Sequence, residues 1–127
     1  MAEPEWVPDK VVLAFHQLQI AEHGGPDGVR EQGLLESALA RPRNLYEYSD
    51  PQPSLAEIAA SYGYGIARNH VFVDGNKRTA LVVCVHFLYI NNVELDVSNT
   101  EIYLIFLKLA AGDLTEKELA NWIASNI

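Results

Sequence analysis

Nine consecutive residues, HVFVDGNKR from His70 to Arg78, hold the densest polar chemistry of the chain. They sit directly before its most apolar run, ALVVCVHFLYI from Ala80 to Ile90. If a helix starts at Asn76, its first turn offers backbone N–H groups without intrahelical acceptors and the positive end of the helix dipole, a ready anion site. Gly75 lets the backbone come close to a ligand, Asn76 can cap or donate, and Lys77 and Arg78 add two charged donors. Cations in a first turn oppose the dipole at a cost of up to about 1 kcal/mol, which a bound phosphate would offset. Beside such a phosphate Asp74 is a natural ligand for Mg²⁺, an ion that takes one or two carboxylates plus substrate oxygens. His70 can act as a general base that accepts a hydroxyl proton. These are the parts of phosphoryl or nucleotidyl transfer. Each residue also has an ordinary reading: a structural histidine, an Asp-Gly-Asn turn, a solvated Lys-Arg pair. The functional reading rests on their arrangement, with Phe72 and Val73 expected to anchor the loop in the core.

Composition excludes several other functions. Seventeen acids against nine Lys plus Arg give a formal charge of −8 over 127 residues, so no diffuse basic surface exists for a phosphate backbone and direct nucleic-acid binding is not expected. Against that background Lys77, Arg78 and the nearby Arg68 form a local cationic spot that can draw anions. A single cysteine, Cys84, rules out an internal disulfide framework and is expected to be a small buried hydrophobe in a reducing compartment. The start MAEPEW lacks a basic end followed by an apolar run, and the 80–90 stretch is too short for a membrane span, so a cytoplasmic protein without membrane contact is expected. No Walker A loop is present, His16, His23, His70 and His86 make no zinc-type cluster, and Ser61, Ser98 and Cys84 have no context that marks a nucleophile. His86 is expected in the core.

The elements that must position the loop are read from periodicity and capping. The length fits one domain over residues 1–127, all-α, with about six helices around a central buried helix. Helical spacing of Val11, Val12, Phe15, Leu18 and Ile20 predicts a helix over 8–22, ended by HGGPDG. A second, GLLESALAR, is expected to stop before Pro42, leaving RPRNLYEYSDPQPS as a long surface loop or flap. Ser54 with Glu57 forms a capping box that opens a third helix over 54–70, whose small residues predict close approach to a neighbour. The helix from Asn76 to about Asn91 is apolar on nearly every face and is expected to be the central one. Ser98 with Glu101 and Thr115 with Glu118 open two more, and little sheet is accommodated.

The stretch HVFVDGNKRTA resembles the signature of the Fic/Doc superfamily, His-x-Phe-x-(Asp/Glu)-Gly-Asn-(Gly/Lys)-Arg, here His70, Phe72, Asp74, Gly75, Asn76, Lys77 and Arg78. GGPDGVREQGLLESALARP, YGYGIARNHVFVDGNKRTAL and LAAGDLTEKELANWI extend the likeness to the death-on-curing (Doc) branch, toxins of Phd–Doc type toxin–antitoxin modules. That resemblance implies a Fic/Doc-like helical bundle and ATP as co-substrate. Lys77 stands where typical Fic adenylyltransferases carry a second glycine, and Leu81 where they carry a second arginine. Typical members transfer AMP to a target hydroxyl, whereas the Doc branch transfers the γ-phosphate of ATP to a threonine of elongation factor Tu and stops translation. By the same resemblance His70 is the general base, Asp74 the Mg²⁺ ligand, and Gly75, Asn76, Lys77 and Arg78 hold the triphosphate. Arg68 is expected to add a phosphate or target contact. Self-inhibiting members carry an (S/T)-x-x-x-E-(G/N) helix, and no such string occurs here. Restraint is then expected from a Phd-like antitoxin that folds on binding. Two other readings stay open: a nucleotidyltransferase moving AMP or UMP, and a catalytically inactive Doc-like binding module.

Overall fold

The computed structural model describes residues 3–127. Six helices follow in order: α1 (Asp9–His23), α2 (Gln32–Tyr48), α3 (Leu55–Asn69), α4 (Asn76–Ile90), α5 (Asn99–Ala111) and α6 (Glu116–Ala124). Among the described residues there is no strand, only an isolated antiparallel bridge between Val29 and Phe72. None of these helices is long and apolar enough to cross a membrane.

The central helix is α3, not α4 as its apolar sequence implied. Helix α3 packs against α2, α4, α5 and α6 and buries ten residues from Ala56 to Ala67, against six on α4. Its small residues are what allow this. A Cβ on Gly63 would stand 3.0 Å from the Phe106 ring of α5, and one on Gly65 would stand 3.3 Å from the Ala38 carbonyl oxygen of α2. Close approach on two sides requires glycine on both, and the expectation drawn from the small residues holds. The predicted capping box is present: Ser54 Oγ accepts from Glu57 N at 3.1 Å, and Ser54 N donates to Glu57 Oε1 at 3.1 Å. Helix α4 is sandwiched between α3, α1 and α5, but Tyr89 is exposed and Leu81, Val82, Val85 and His86 are only half-covered.

Helix α2 continues through Pro42 to Tyr48, so the expected long flap shrinks to the turn before Ser54. A proline inside a helix costs about 3 kcal/mol through the missing N–H and a clash with the carbonyl four residues back. Here burial outweighs that cost. Leu35, Ala38, Leu39 and Pro42 form one buried stripe at helical spacing, and the extra turns carry Tyr46 onto the edge of Trp6, with ring centroids 5.8 Å apart. Sequence near a proline reports local cost only; packing across the helix decides.

The core runs from Val7 through the facing sides of all six helices. Cys84 is fully buried, as expected, and burial pushes its thiol up to about 12. His86 is not a core residue but half-buried, its ring edge-on to Phe15 at 5.0 Å, and partial desolvation lowers its pKa. The buried histidine is His16, 1% exposed. Val73, expected as an anchor, is 50% exposed; Phe72 alone of the pair fills the core, at 1%.

Candidate active site

The turn between α3 and α4 is built by three local devices. Helix α3 ends at His70, whose φ of 48° and ψ of 54° place a non-glycine residue in the left-handed region. That conformation costs on the order of 1 kcal/mol and is concentrated at functional sites. The chain then pairs briefly with the segment after α1: Arg30 N donates to Val71 O at 2.9 Å and Val73 N to Gly28 O at 3.0 Å. Last, the Asn76 side chain closes the turn, its Oδ1 accepting from Phe72 N at 2.8 Å and its Nδ2 donating to Phe72 O at 2.9 Å. Both ends of the Asn76 side-chain amide are thus used on the loop, so a phosphate contact by Asn76 would fall to its backbone N–H.

Helix α4 starts differently from α3, α5 and α6. Those three have Ser54, Ser98 and Thr115 as caps, each accepting from the backbone N–H three residues on. Helix α4 has Gly75 as its N-cap, with φ +79°, no capping side chain and no acid in the first turn. The first-turn amides of Asn76, Lys77 and Arg78 therefore have neither an intrahelical acceptor nor a cap. They lie beside a pocket of ≈ 270 Å³ lined by Ala67, His70, Asp74, Gly75, Asn76, Lys77, Arg78 and Ala110. Of the seven expected site residues, six line this one pocket.

The seventh does not. Arg68 points to the C-terminal end of α5, where Nη1 lies 3.5 Å from Ala110 O and close against Gly112. A guanidinium there complements the negative end of a helix dipole; the side chain is exposed and Ala110 itself lines the pocket, so the expected phosphate or target contact stays a proposal. Arg78 lines the pocket but is also held from behind, with Nη1 2.8 Å from the His23 ring nitrogens. The Lys77 ammonium and the Arg78 guanidinium lie 5.2 and 5.5 Å from the centre of the Tyr103 ring. Lys77, by its hydrogen bond and its charge, and Arg78 more weakly, lower the pKa of the Tyr103 phenol. The two cations are thus tethered at the mouth, which preorganises positive charge.

Asp74 is exposed at the pocket rim, and its Oδ1 accepts from Gly75 N at 2.8 Å. Gly25 backs it: a Cβ at that position would stand within hard contact of Asp74 Oδ2. Among the described residues no group of three or more His, Cys, Asp or Glu is placed to hold a metal. One reachable carboxylate suits Mg²⁺ carried in with a nucleotide, since that ion takes most of its oxygens from phosphate and water.

Comparison with known proteins shows the family of the chain. The Fic/DOC family profile matches residues 6–88, a span that contains the turn and the start of α4. Toxin Doc of Mycolicibacterium smegmatis is 47% identical over 72 residues, 57% of this chain and 55% of that protein. Protein kinase doc of Escherichia phage P1 is 30% identical over 110 residues, 87% of this chain and 86% of that protein. This chain belongs to the Fic/DOC family. The match to the mycobacterial relative spans about half of that protein's length, whereas the match to the phage relative takes in nearly the whole of both chains.

In this Fic/DOC chain the parts not anticipated from sequence are His16, His23, Gly25 and Tyr103, all on segments distant from the signature. Three of them carry no local mark. His16 does: with Val12 and Ile20 it falls at i, i+4 spacing on the inward stripe of α1, a pattern that places an imidazole in the core.

Proposed function

We propose that the protein is a toxin of a type II toxin–antitoxin module. It would transfer the γ-phosphate of ATP to a Ser or Thr hydroxyl of a translation factor, elongation factor Tu, and arrest protein synthesis. One observation carries the reading: α4 begins without a cap, and its open amides, Lys77 and Arg78 line one pocket with His70 and Asp74. A helix start so exposed is an anion site, and a base and a carboxylate beside it supply the remaining parts of phosphoryl transfer. The names of the two Doc relatives support the toxin and kinase assignments.

In the reaction, a target hydroxyl reaches the exposed His70, whose imidazole accepts its proton as the oxygen bonds to the γ-phosphorus. The bond to the β,γ-bridging oxygen breaks and ADP leaves. The amides of Asn76, Lys77 and Arg78, with the two side-chain cations, hold the triphosphate oxygens and balance the charge that develops on them. Mg²⁺, held by Asp74 and the phosphates, would supply further charge neutralisation. No covalent enzyme intermediate is required. A Phd-like antitoxin would restrain the enzyme in the cytoplasm, and neither nucleic acid nor membrane has a part.

Lys77 lines the pocket at the position where typical Fic adenylyltransferases carry a second glycine, and the bulk and charge it adds favour phosphoryl over nucleotidyl transfer in this reading. For Lys77→Gly we expect phosphate transfer to fall at least about tenfold, the loss of one charge-assisted contact, with AMP transfer gained in its place. Parallel reactions with ATP labelled at the γ- or the α-phosphate read both outcomes. Label from the α-phosphate with the unmodified enzyme would assign AMP transfer instead, and label from neither would favour a binding module.

A further inference from the structure

The buried His16 on α1 belongs to no part of the signature, yet its ring touches three signature residues at once. The imidazole lies flat on the Phe72 ring, centroids 3.8 Å apart and planes within 6°. Its Nε2 is 2.8 Å from Asp74 O; a carbonyl oxygen only accepts, so Nε2 carries the proton and donates. A Cβ on Gly75 would stand 3.6 Å from both Nε2 and Cδ2 of the same ring. On the far side Nδ1 is 3.7 Å from Asp27 Oδ1. Asp27 in turn accepts from Gln17 Nε2 at 3.0 Å on both carboxylate oxygens. At 1% exposure the ring has no freedom to swing away.

We infer that His16 is a positioning residue for the transfer site: it fixes the main chain at Asp74 and Gly75, and so sets where the Asp74 carboxylate and the uncapped amides of α4 stand. Rotation about the bonds flanking Asp74 would move the carboxylate and the Gly75 cap together, because Gly75 N is itself tied to Asp74 Oδ1. Among the described residues, the hydrogen bond that holds the Asp74 carbonyl against this rotation comes from His16. Residues that orient a metal ligand without touching the metal commonly change metal affinity by about 10–100-fold when replaced. The inference rests on the phosphotransferase reading, since it assigns Asp74 to Mg²⁺ and the α4 amides to phosphate.

Two substitutions separate positioning from packing. His16→Phe keeps a flat ring on Phe72 but removes the donor; His16→Gln keeps a donor within reach of Asp74 O but gives up the stack. The first measurement is the Mg²⁺ concentration for half-maximal phosphate transfer, taken with the melting temperature of each variant. The second is binding of Mn²⁺ with a non-hydrolysable ATP analogue, read from paramagnetic broadening of the Asp74 and Gly75 amide signals. The expected result is a half-saturation for Mg²⁺ and Mn²⁺ raised at least about tenfold in His16→Phe and within about threefold of the parent in His16→Gln. Metal dependence unchanged in His16→Phe, or losses in both variants that simply follow their melting temperatures, would overturn the positioning role. If the parent protein itself shows no Mn²⁺ effect at Asp74 and Gly75, the transferase reading falls first and this inference with it.

Discussion

Replacing His70 by alanine is expected to abolish growth arrest and to lower phosphate transfer by about 10²–10⁴-fold, the usual contribution of a positioned general base. The His70 side chain is exposed, and among the described residues no hydrogen bond ties it to the scaffold. The backbone at φ 48° is already strained for a residue with a Cβ, and alanine keeps that Cβ, so thermal stability stays close to that of the parent. Activity and stability therefore part company at this position. A transfer assay beside a melting curve checks both halves. Full growth arrest by His70→Ala would remove the catalytic proposal and raise the inactive-module reading in its place.

Replacing Phe72 by alanine gives the opposite signature. Phe72 is 1% exposed and stacks on His16, its main chain is clasped from both sides by the Asn76 amide, and it bridges to Val29. Truncating a buried phenylalanine costs about 3–5 kcal/mol, a large share of the ~5–15 kcal/mol that holds a domain of this kind folded. Transfer is lost together with stability, because the ring is what seats the turn between α3 and α4 on α1. Phe72→Leu keeps most of the buried area but gives up the stack on His16, and is expected to fall between the parent and Phe72→Ala. Urea unfolding of the three proteins orders them; equal midpoints for Phe72→Ala and the parent would mean that the ring does not hold the loop.

The contrast between these two positions shows what the sequence could reveal. Capping boxes at Ser54 and Thr115 are written in four adjacent residues, and they appear as read, while at Ser98 the serine oxygen accepts as expected. The boundaries of α4 and the cluster of His70, Asp74, Gly75, Asn76, Lys77 and Arg78 were equally legible, since adjacency in the chain becomes adjacency at a helix start. Pro42 misled, because the stripe that carries α2 through it is stabilised by α3, not by its neighbours in sequence. The rank of α3 over α4 was hidden for a similar reason. Hydrophobicity marks burial, but glycines at 63 and 65 mark closeness, and closeness made α3 the hub. Arg68 stands two residues before His70, and nothing in that spacing told of its reach to the C-terminus of α5. His23, Gly25 and Tyr103 complete the site through contacts with partners about fifty, fifty and twenty-five residues away, which no local pattern encodes.

Tethering of the cations has a consequence for how the pocket meets its ligand. Lys77 and Arg78 are drawn toward Tyr103 and His23 before any anion arrives, so less side-chain entropy is lost when phosphate is bound. The pocket is open and of ≈ 270 Å³, and the α4 amides are fixed by the helix itself. Positioning and charge are most of what phosphoryl transfer asks of a protein, and both are present before substrate.

In the proposed reaction this site moves the γ-phosphate of ATP to a hydroxyl of elongation factor Tu. Intact-protein mass spectrometry of that factor, incubated with the enzyme, Mg²⁺ and ATP, tests it most directly. The expected result is a gain of about 80 Da, the mass of one phosphoryl group, that is absent with His70→Ala. A gain of about 329 Da, or of about 306 Da with UTP, would mean nucleotidyl transfer and contradict it.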